Sequence, residues 1–113
     1  MTKIKFFKNL NNFVGFECSG HTGYGESGND VLCASISSIT QMTALGLKDV
    51  CKIDVIISRN DDKGYLKVEL PKVIKKEELL QSQVLFQTLY ESIKDLISGY
   101  SEYIFMEVIE DVY

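Results

Sequence analysis

The chain has 113 residues, 45% hydrophobic and 25% charged, so we expect a single globular domain over residues 1–113. Its net charge of −4 argues against a surface that binds phosphate backbones, and direct nucleic-acid binding is not expected. Since no apolar run is long enough to span a membrane and the first ten residues lack the apolar core of a signal peptide, we expect no membrane partner and a cytoplasmic location.

The three cysteines are an odd number and form no Cys-x-x-Cys pair. A disulfide framework needs paired, closely spaced cysteines, and such frameworks belong to oxidising compartments. We therefore expect reduced thiols.

Alternating apolar and polar residues predict a hairpin at the start of the chain. Residues 2–10 form the first strand, Asn11-Asn12 offers a turn, and residues around 14–18 form the second strand. The positions expected on one face are Ile4, Phe6 and Leu10 of the first strand and Val14, Phe16 and Cys18 of the second.

The apolar spacing then changes to three and four residues, which predicts a helix from Asp30 to about Leu47. Asp30 suits the N-cap position, and Gly46 suits the C-terminal end.

The rest of the chain alternates between strands and one long helix. The third strand is predicted over 51–59, turn residues occupy 60–64, and the fourth strand covers 65–70. A helix follows over 76–98, with Gly99 as its stop signal, before a fifth strand over 102–110.

This strand–strand–helix–strand–strand–helix–strand order predicts a two-layer α/β (α+β) fold, with one mixed sheet and two main helices packed on it. The helix at 76–98 is apolar over more surface than one sheet face can cover. The excess predicts either a second copy of the chain packed against it or a broader core.

The stretch SGHTGYGESGNDVLCASISS, residues 19–38, contains the only histidine of the chain and four of its eight glycines. His21 follows the second predicted strand, and Cys33 lies in the first turn of the next helix. The dipole of a helix N-terminus favours an anionic thiolate, and a nearby imidazolium would pair with it. The arrangement favours a Cys–His nucleophile pair.

Two more polar residues accompany this pair. Asp30 caps the helix, and it either does only that or also orients His21 as the third member of a triad. Ser37 stands one turn after Cys33, where it lines the pocket, bonds the histidine, or simply permits close packing. The amides at the helix start, that of Cys33 first, are candidates for holding an oxyanion.

The glycines between these residues favour a mobile segment over a phosphate loop. Their spacing fits neither the P-loop nor the dinucleotide-binding pattern. A lid that orders on substrate is the functional interpretation, and a merely flexible loop is the alternative. These glycines are Gly20, Gly23, Gly25 and Gly28.

Other interpretations of the cysteines exist. A lone cysteine on a helix is most often an inert buried residue, which is the alternative role for Cys33. Cys18 and Cys51 both lie on predicted strands, and we assign them a structural role. The spacing of the cysteines with His21 follows no usual zinc pattern, so neither a metal nor another cofactor is expected. A thiol redox sensor, which also uses a reactive cysteine, stays open.

The sequence resembles the ribosomal-processing cysteine protease family, the bacterial Prp proteins. The shared signature comprises Gly-His, a glycine-containing loop, Gly-x-Asp, two apolar residues, Cys-Ala and a serine four places after the cysteine. In this chain it is carried by Gly20-His21, Gly28, Asp30, Val31-Leu32, Cys33-Ala34 and Ser37.

The resemblance implies a homodimeric endopeptidase, a single cysteine-protease domain that removes the short N-terminal extension of large-subunit ribosomal protein twenty-seven. By position, Cys33 would be the nucleophile and His21 the general base, with Asp30 and Ser37 in supporting roles and the glycine loop gating the substrate. The precursor of that ribosomal protein would be the peptide substrate. A non-catalytic ribosome-assembly factor with the same fold is the alternative.

Overall fold

The structure is a computed structural model, and it describes residues 1–20 and 31–112. Within this part of the chain the elements follow the predicted order β-β-α-β-β-α-β. They are β1 (Thr2–Asn9), β2 (Asn12–Ser19), α1 (Val31–Leu45), β3 (Ile56–Asn60), β4 (Tyr65–Glu69), α2 (Lys76–Tyr100) and β5 (Ile104–Ile109).

The five strands form one mixed sheet in the order β3-β4-β2-β1-β5. All neighbours are antiparallel except β1 and β5, which run parallel. The parallel pair requires a crossover, and the chain between β1 and β5 includes both helices. The predicted fold class, one mixed sheet with two main helices, is confirmed.

The core lies between one face of this sheet and the two helices. Phe6 and Phe16 sit opposite each other on β1 and β2, and both are fully buried. Phe86 of α2 packs against Phe16, with ring centroids 6.2 Å apart in an edge-to-face arrangement. Alternation along the strands therefore places the aromatic residues under the long helix.

The hairpin turn lies one residue earlier than predicted. Leu10 and Asn11, not Asn11 and Asn12, form the two-residue loop, and Asn12 already pairs with Asn9. Both loop residues have positive φ angles, 51° and 66°. Such a loop matches the right-handed twist of the strands. It places Leu10 in the turn, 83% exposed, instead of on the core face that the alternation predicted.

The third strand begins later than predicted, at Ile56 instead of residue 51. After α1 the chain continues through a π-helical turn, Gly46–Val50, and the Ile53 amide donates to the Leu47 carbonyl at 3.0 Å. Ile53 is buried by this return of the chain, not by a sheet position. Apolar alternation alone does not distinguish the two cases.

The second helix also departs in detail from the prediction. It continues through Gly99 to Tyr100. Part of its wide apolar surface packs on the core, whereas Leu80 and Val84 remain 60% and 67% exposed. Among the described helices, none contains an apolar stretch long enough to cross a bilayer.

Candidate functional site

Cys33 lies in the first turn of α1, where the sequence predicted it. Its neighbours Leu32 and Ile36 are 3% and 2% exposed and fix the start of the helix on the sheet. Cys33 itself is half-buried and lines a cavity of about 380 Å³. This volume is in the range of small-molecule and peptide side-chain pockets.

Three parts of the fold form the walls of the cavity. The first is one side of α1, the second is the end of the β1–β2 pair, and the third is the β3–β4 hairpin. Its described lining residues are Thr2, Cys18, Gly20, Cys33, Ala34, Ile36, Ser37, Thr40, Gln41, Arg59, Asp61, Gly64, Tyr65 and Leu66.

Ser37 lies one helical turn after Cys33 and lines the same cavity. Its side chain is exposed, and its Oγ accepts a hydrogen bond of 2.7 Å from Nε2 of Gln41. Of the roles that the sequence left open, this geometry corresponds to a pocket-lining residue rather than one packed in the core.

Cys18 also reaches the cavity, from the sheet. It is 8% exposed, and its pKa is raised from 9.0 to about 11 by burial, with further contributions from Cys33 and Glu17. Cys18 is therefore a protonated thiol at neutral pH, as suits the inert role assigned to it. No disulfide joins Cys18, Cys33 and Cys51, and Cys51 is not among the residues that line the cavity.

Several predicted site residues lie outside the described part of the chain. These are His21, Asp30, Gly23, Gly25 and Gly28. The described glycine of the group, Gly20, has a φ of +85°, and a Cβ built on it would lie 2.9 Å from the Met1 carbonyl oxygen. Glycine is required there by the backbone itself.

The β3–β4 hairpin contributes polar residues that sequence analysis placed on two strands and a turn but did not assign to the site. Nε of Arg59 donates to Oδ1 of Asp61 at 2.7 Å. The Tyr65 hydroxyl donates to Oε2 of Glu17 at 3.0 Å, and partial burial together with this bond raises the pKa of Tyr65. Finding them from sequence would require the strand register, since they lie far from Cys33 in the chain.

Thr2 is a further lining residue that sequence analysis did not identify. It is 2% exposed, and its hydroxyl has no hydrogen-bond partner. Across residues 1–20 and 31–112, no cluster of three or more His, Cys, Asp or Glu side chains is placed to hold a metal ion.

A family model described as "Cysteine protease Prp" matches residues 1–105 of the chain. Among curated proteins, the chain is similar to the "Ribosomal processing cysteine protease Prp" of Bacillus subtilis (strain 168). The two are 21% identical over 89 residues, which covers 79% of this chain and 80% of the relative.

Solved structures share the fold over nearly the whole chain. The structure of SMU.848 from Streptococcus mutans has a TM-score of 0.84 at 24% identity, covering 98% of this chain and 96% of that one. The ribosomal processing protease Prp from S. aureus, in complex with a covalently linked product peptide, has a TM-score of 0.82 at 19% identity, covering 98% and 100%. The same protease with a substrate peptide has a TM-score of 0.79 at 18% identity, covering 96% and 99%.

Proposed function

The chain belongs to the Prp family of cysteine proteases, and from this premise we propose that it is a ribosomal-processing endopeptidase. Its substrate would be the precursor of large-subunit ribosomal protein twenty-seven, from which it removes the short N-terminal extension. The B. subtilis relative bears the name of a ribosomal processing protease, which supports the assignment.

Cys33 is the nucleophile in this proposal. The observation that carries the assignment is its position, half-buried in the first turn of α1 on the wall of the cavity. The amides and the positive end of the dipole at the helix start would stabilise the oxyanion formed on attack. The S. aureus relative holds a covalently linked product peptide, as a protease with a nucleophilic side chain would.

His21 is the general base, with Asp30 and Ser37 as supporting residues. His21 directly follows Gly20, and Gly20 lines the cavity beside Cys33. In the reaction the Cys33 thiolate adds to the scissile carbonyl, and His21 protonates the departing amine to leave an acyl-enzyme. His21 then takes a proton from water, which attacks the thioester and releases the new carboxylate and the thiol.

The glycines around His21 would form a loop that orders on substrate and completes the catalytic pair only around a bound peptide. We place the protein in the cytoplasm, where the ribosomal precursor is made. A homodimer joined through the exposed apolar side chains of α2 also belongs to the proposal. No cofactor takes part.

The experiment is incubation of the protein with the precursor, or with a peptide spanning its N-terminal junction, followed by mass measurement. We expect one cut by the parent protein and none by Cys33→Ala or His21→Ala. Cys51→Ser is the matched control, since it removes a half-buried thiol elsewhere in the chain, and it should cut normally.

Each other outcome has a distinct meaning. Binding without cleavage by the parent protein would indicate a ribosome-assembly factor that uses the same fold. Loss of turnover in Cys18→Ser, together with oxidation of Cys33, would favour a redox sensor with Cys18 as its resolving thiol. Cleavage retained by Cys33→Ala would contradict the mechanism.

A further inference from the structure

The hydroxyl of Thr2 is buried without a hydrogen-bond partner. Thr2 is the first residue of β1 and is 2% exposed. In the described part of the chain, its Oγ1 is the only buried side-chain nitrogen or oxygen that lacks a partner. A buried polar group in this state costs free energy, so it calls for an explanation.

The other buried hydroxyls of the described residues are satisfied inside helices. Oγ1 of Thr40 donates to the Ile36 carbonyl at 2.8 Å, and Oγ1 of Thr43 donates to that of Ile39 at 2.8 Å. In a helix, a carbonyl one turn back lies within reach of such a side chain. Thr2 is on a strand, where no such carbonyl is available.

Thr2 is also adjacent to the proposed catalytic residues. The register pairs Lys3 with Ser19, so Thr2 comes next to Gly20, the residue that precedes His21. Thr2, Gly20 and Cys33 line one cavity. The residue that carries the unsatisfied hydroxyl therefore lines the same cavity as the proposed nucleophile.

We propose that Thr2 is a substrate-binding residue whose hydroxyl donates a hydrogen bond to a main-chain carbonyl of the bound peptide. The inference rests on the proposed function, in which a peptide lies in this cavity with a carbonyl carbon at Cys33. An extended peptide presents a carbonyl at every residue, whatever its side chains, so one hydroxyl donor can serve any sequence.

The test measures peptide binding and cleavage separately. The Kd of the junction peptide is measured for three inactive proteins: Cys33→Ala alone, Cys33→Ala with Thr2→Val, and Cys33→Ala with Thr2→Ser. We expect Thr2→Val to weaken binding about fivefold to tenfold, since one neutral hydrogen bond is lost. Thr2→Ser keeps the hydroxyl and should stay within about twofold of the parent value.

In the active protein, with Cys33 intact, the same Thr2→Val change should raise KM and leave kcat nearly unchanged. The hydrogen bond from Thr2 to the peptide forms in both the ground state and the transition state, so its loss weakens both equally. Its Tm should be equal or higher, since valine removes the unsatisfied hydroxyl. Thr43→Val is the matched control, because Thr43 is a buried threonine outside the cavity lining whose hydroxyl is bonded within α1. It should leave Kd and KM within about twofold.

Several results would overturn the proposal. Equal Kd values for the parent and Thr2→Val would mean that the hydroxyl makes no hydrogen bond to the peptide. Absence of peptide binding in every variant would also reject the proposal. A lower Tm in Thr2→Val with a matching loss in Thr2→Ser would indicate a purely structural role. Binding that depends on Thr2 without cleavage by the parent protein would reject the proposed function and leave this inference standing.

Discussion

Cys18 and Cys33 line one cavity from two layers of the fold, the former from the sheet and the latter from the helix above it. Burial raises the pKa of Cys18 to about 11. A negative charge at Cys33 adds to this effect, because it opposes ionisation of Cys18. Two neighbouring thiols thus have different roles, since Cys18 stays neutral and places no like charge beside a Cys33 thiolate.

This difference predicts selective alkylation. At pH 8, a pKa of about 11 leaves roughly one Cys18 side chain in a thousand ionised. We expect a small haloacetamide to label Cys33 in the folded protein while Cys18 stays unlabelled, as read by peptide mass mapping. Cys18→Ser should leave turnover unchanged. Equal labelling of the two residues would contradict this view of the site.

The same pKa predicts a loss of stability in alkali. The pKa of Cys18 is raised on folding, so its contribution is complete below about pH 9 and is lost as the pH rises through about 11. A rise in pKa from 9.0 to about 11 corresponds to about 3 kcal/mol at most. We expect the difference in free energy of unfolding between the parent and Cys18→Ala to narrow from pH 8.5 to pH 11.5, as measured by urea denaturation.

Val68→Ala serves as the control for the alkaline experiment. Val68 is fully buried on β4, and the substitution removes no titratable group. The difference in free energy of unfolding between Val68→Ala and the parent should stay constant over the same pH range. If the difference for Cys18→Ala also stays constant, ionisation of Cys18 does not affect the stability of the fold.

The element order could be predicted from sequence because alternation and helical spacing record which side chains face the core. Ile4, Phe6 and Phe16 were placed on one face by this rule, and all three are fully buried. The rule failed at Ile53, which is buried by a turn that brings the chain back to Leu47. A one-dimensional pattern records burial but not what causes it.

The candidate site was predictable only where its residues are close in sequence. Cys33 and Ser37 follow from helical spacing, since a side chain four residues on lies on the same face. Thr2 and Arg59 enter the cavity through strand pairing and a hairpin, so their approach depends on the register of the sheet. The lack of a hydrogen-bond partner for the Thr2 hydroxyl can be recognised only from the positions of all its neighbours in the structure.

A substitution at Gly20 tests whether the backbone conformation just before His21 requires glycine. Its φ of +85° and the nearby Met1 carbonyl both oppose a side chain. We expect Gly20→Ala to lower the free energy of unfolding by about 1–3 kcal/mol and to reduce kcat/KM, because the chain is displaced where it leaves β2.

Gly99→Ala is the matched control for Gly20→Ala. Gly99 lies within α2, and a Cβ there would meet no heavy atom within 4 Å. This change should stabilise the protein by about 0.5–1 kcal/mol, because alanine favours the helix, and should leave cleavage unchanged. Equal effects of the two substitutions would mean that the geometry at Gly20 imposes no special requirement.

The exposed apolar residues of α2 predict how the proposed dimer forms. Leu80 and Val84 are one turn apart on the same face, and burying both against a second copy would favour association. We expect Leu80→Glu with Val84→Glu to shift the sedimentation coefficient from dimer to monomer at micromolar concentration. Val73→Glu, at a residue that is 92% exposed before α2 begins, is the control and should leave the dimer intact. A monomeric parent protein would reject the dimer, whereas a dimer that persists in the double variant would place the interface on another face.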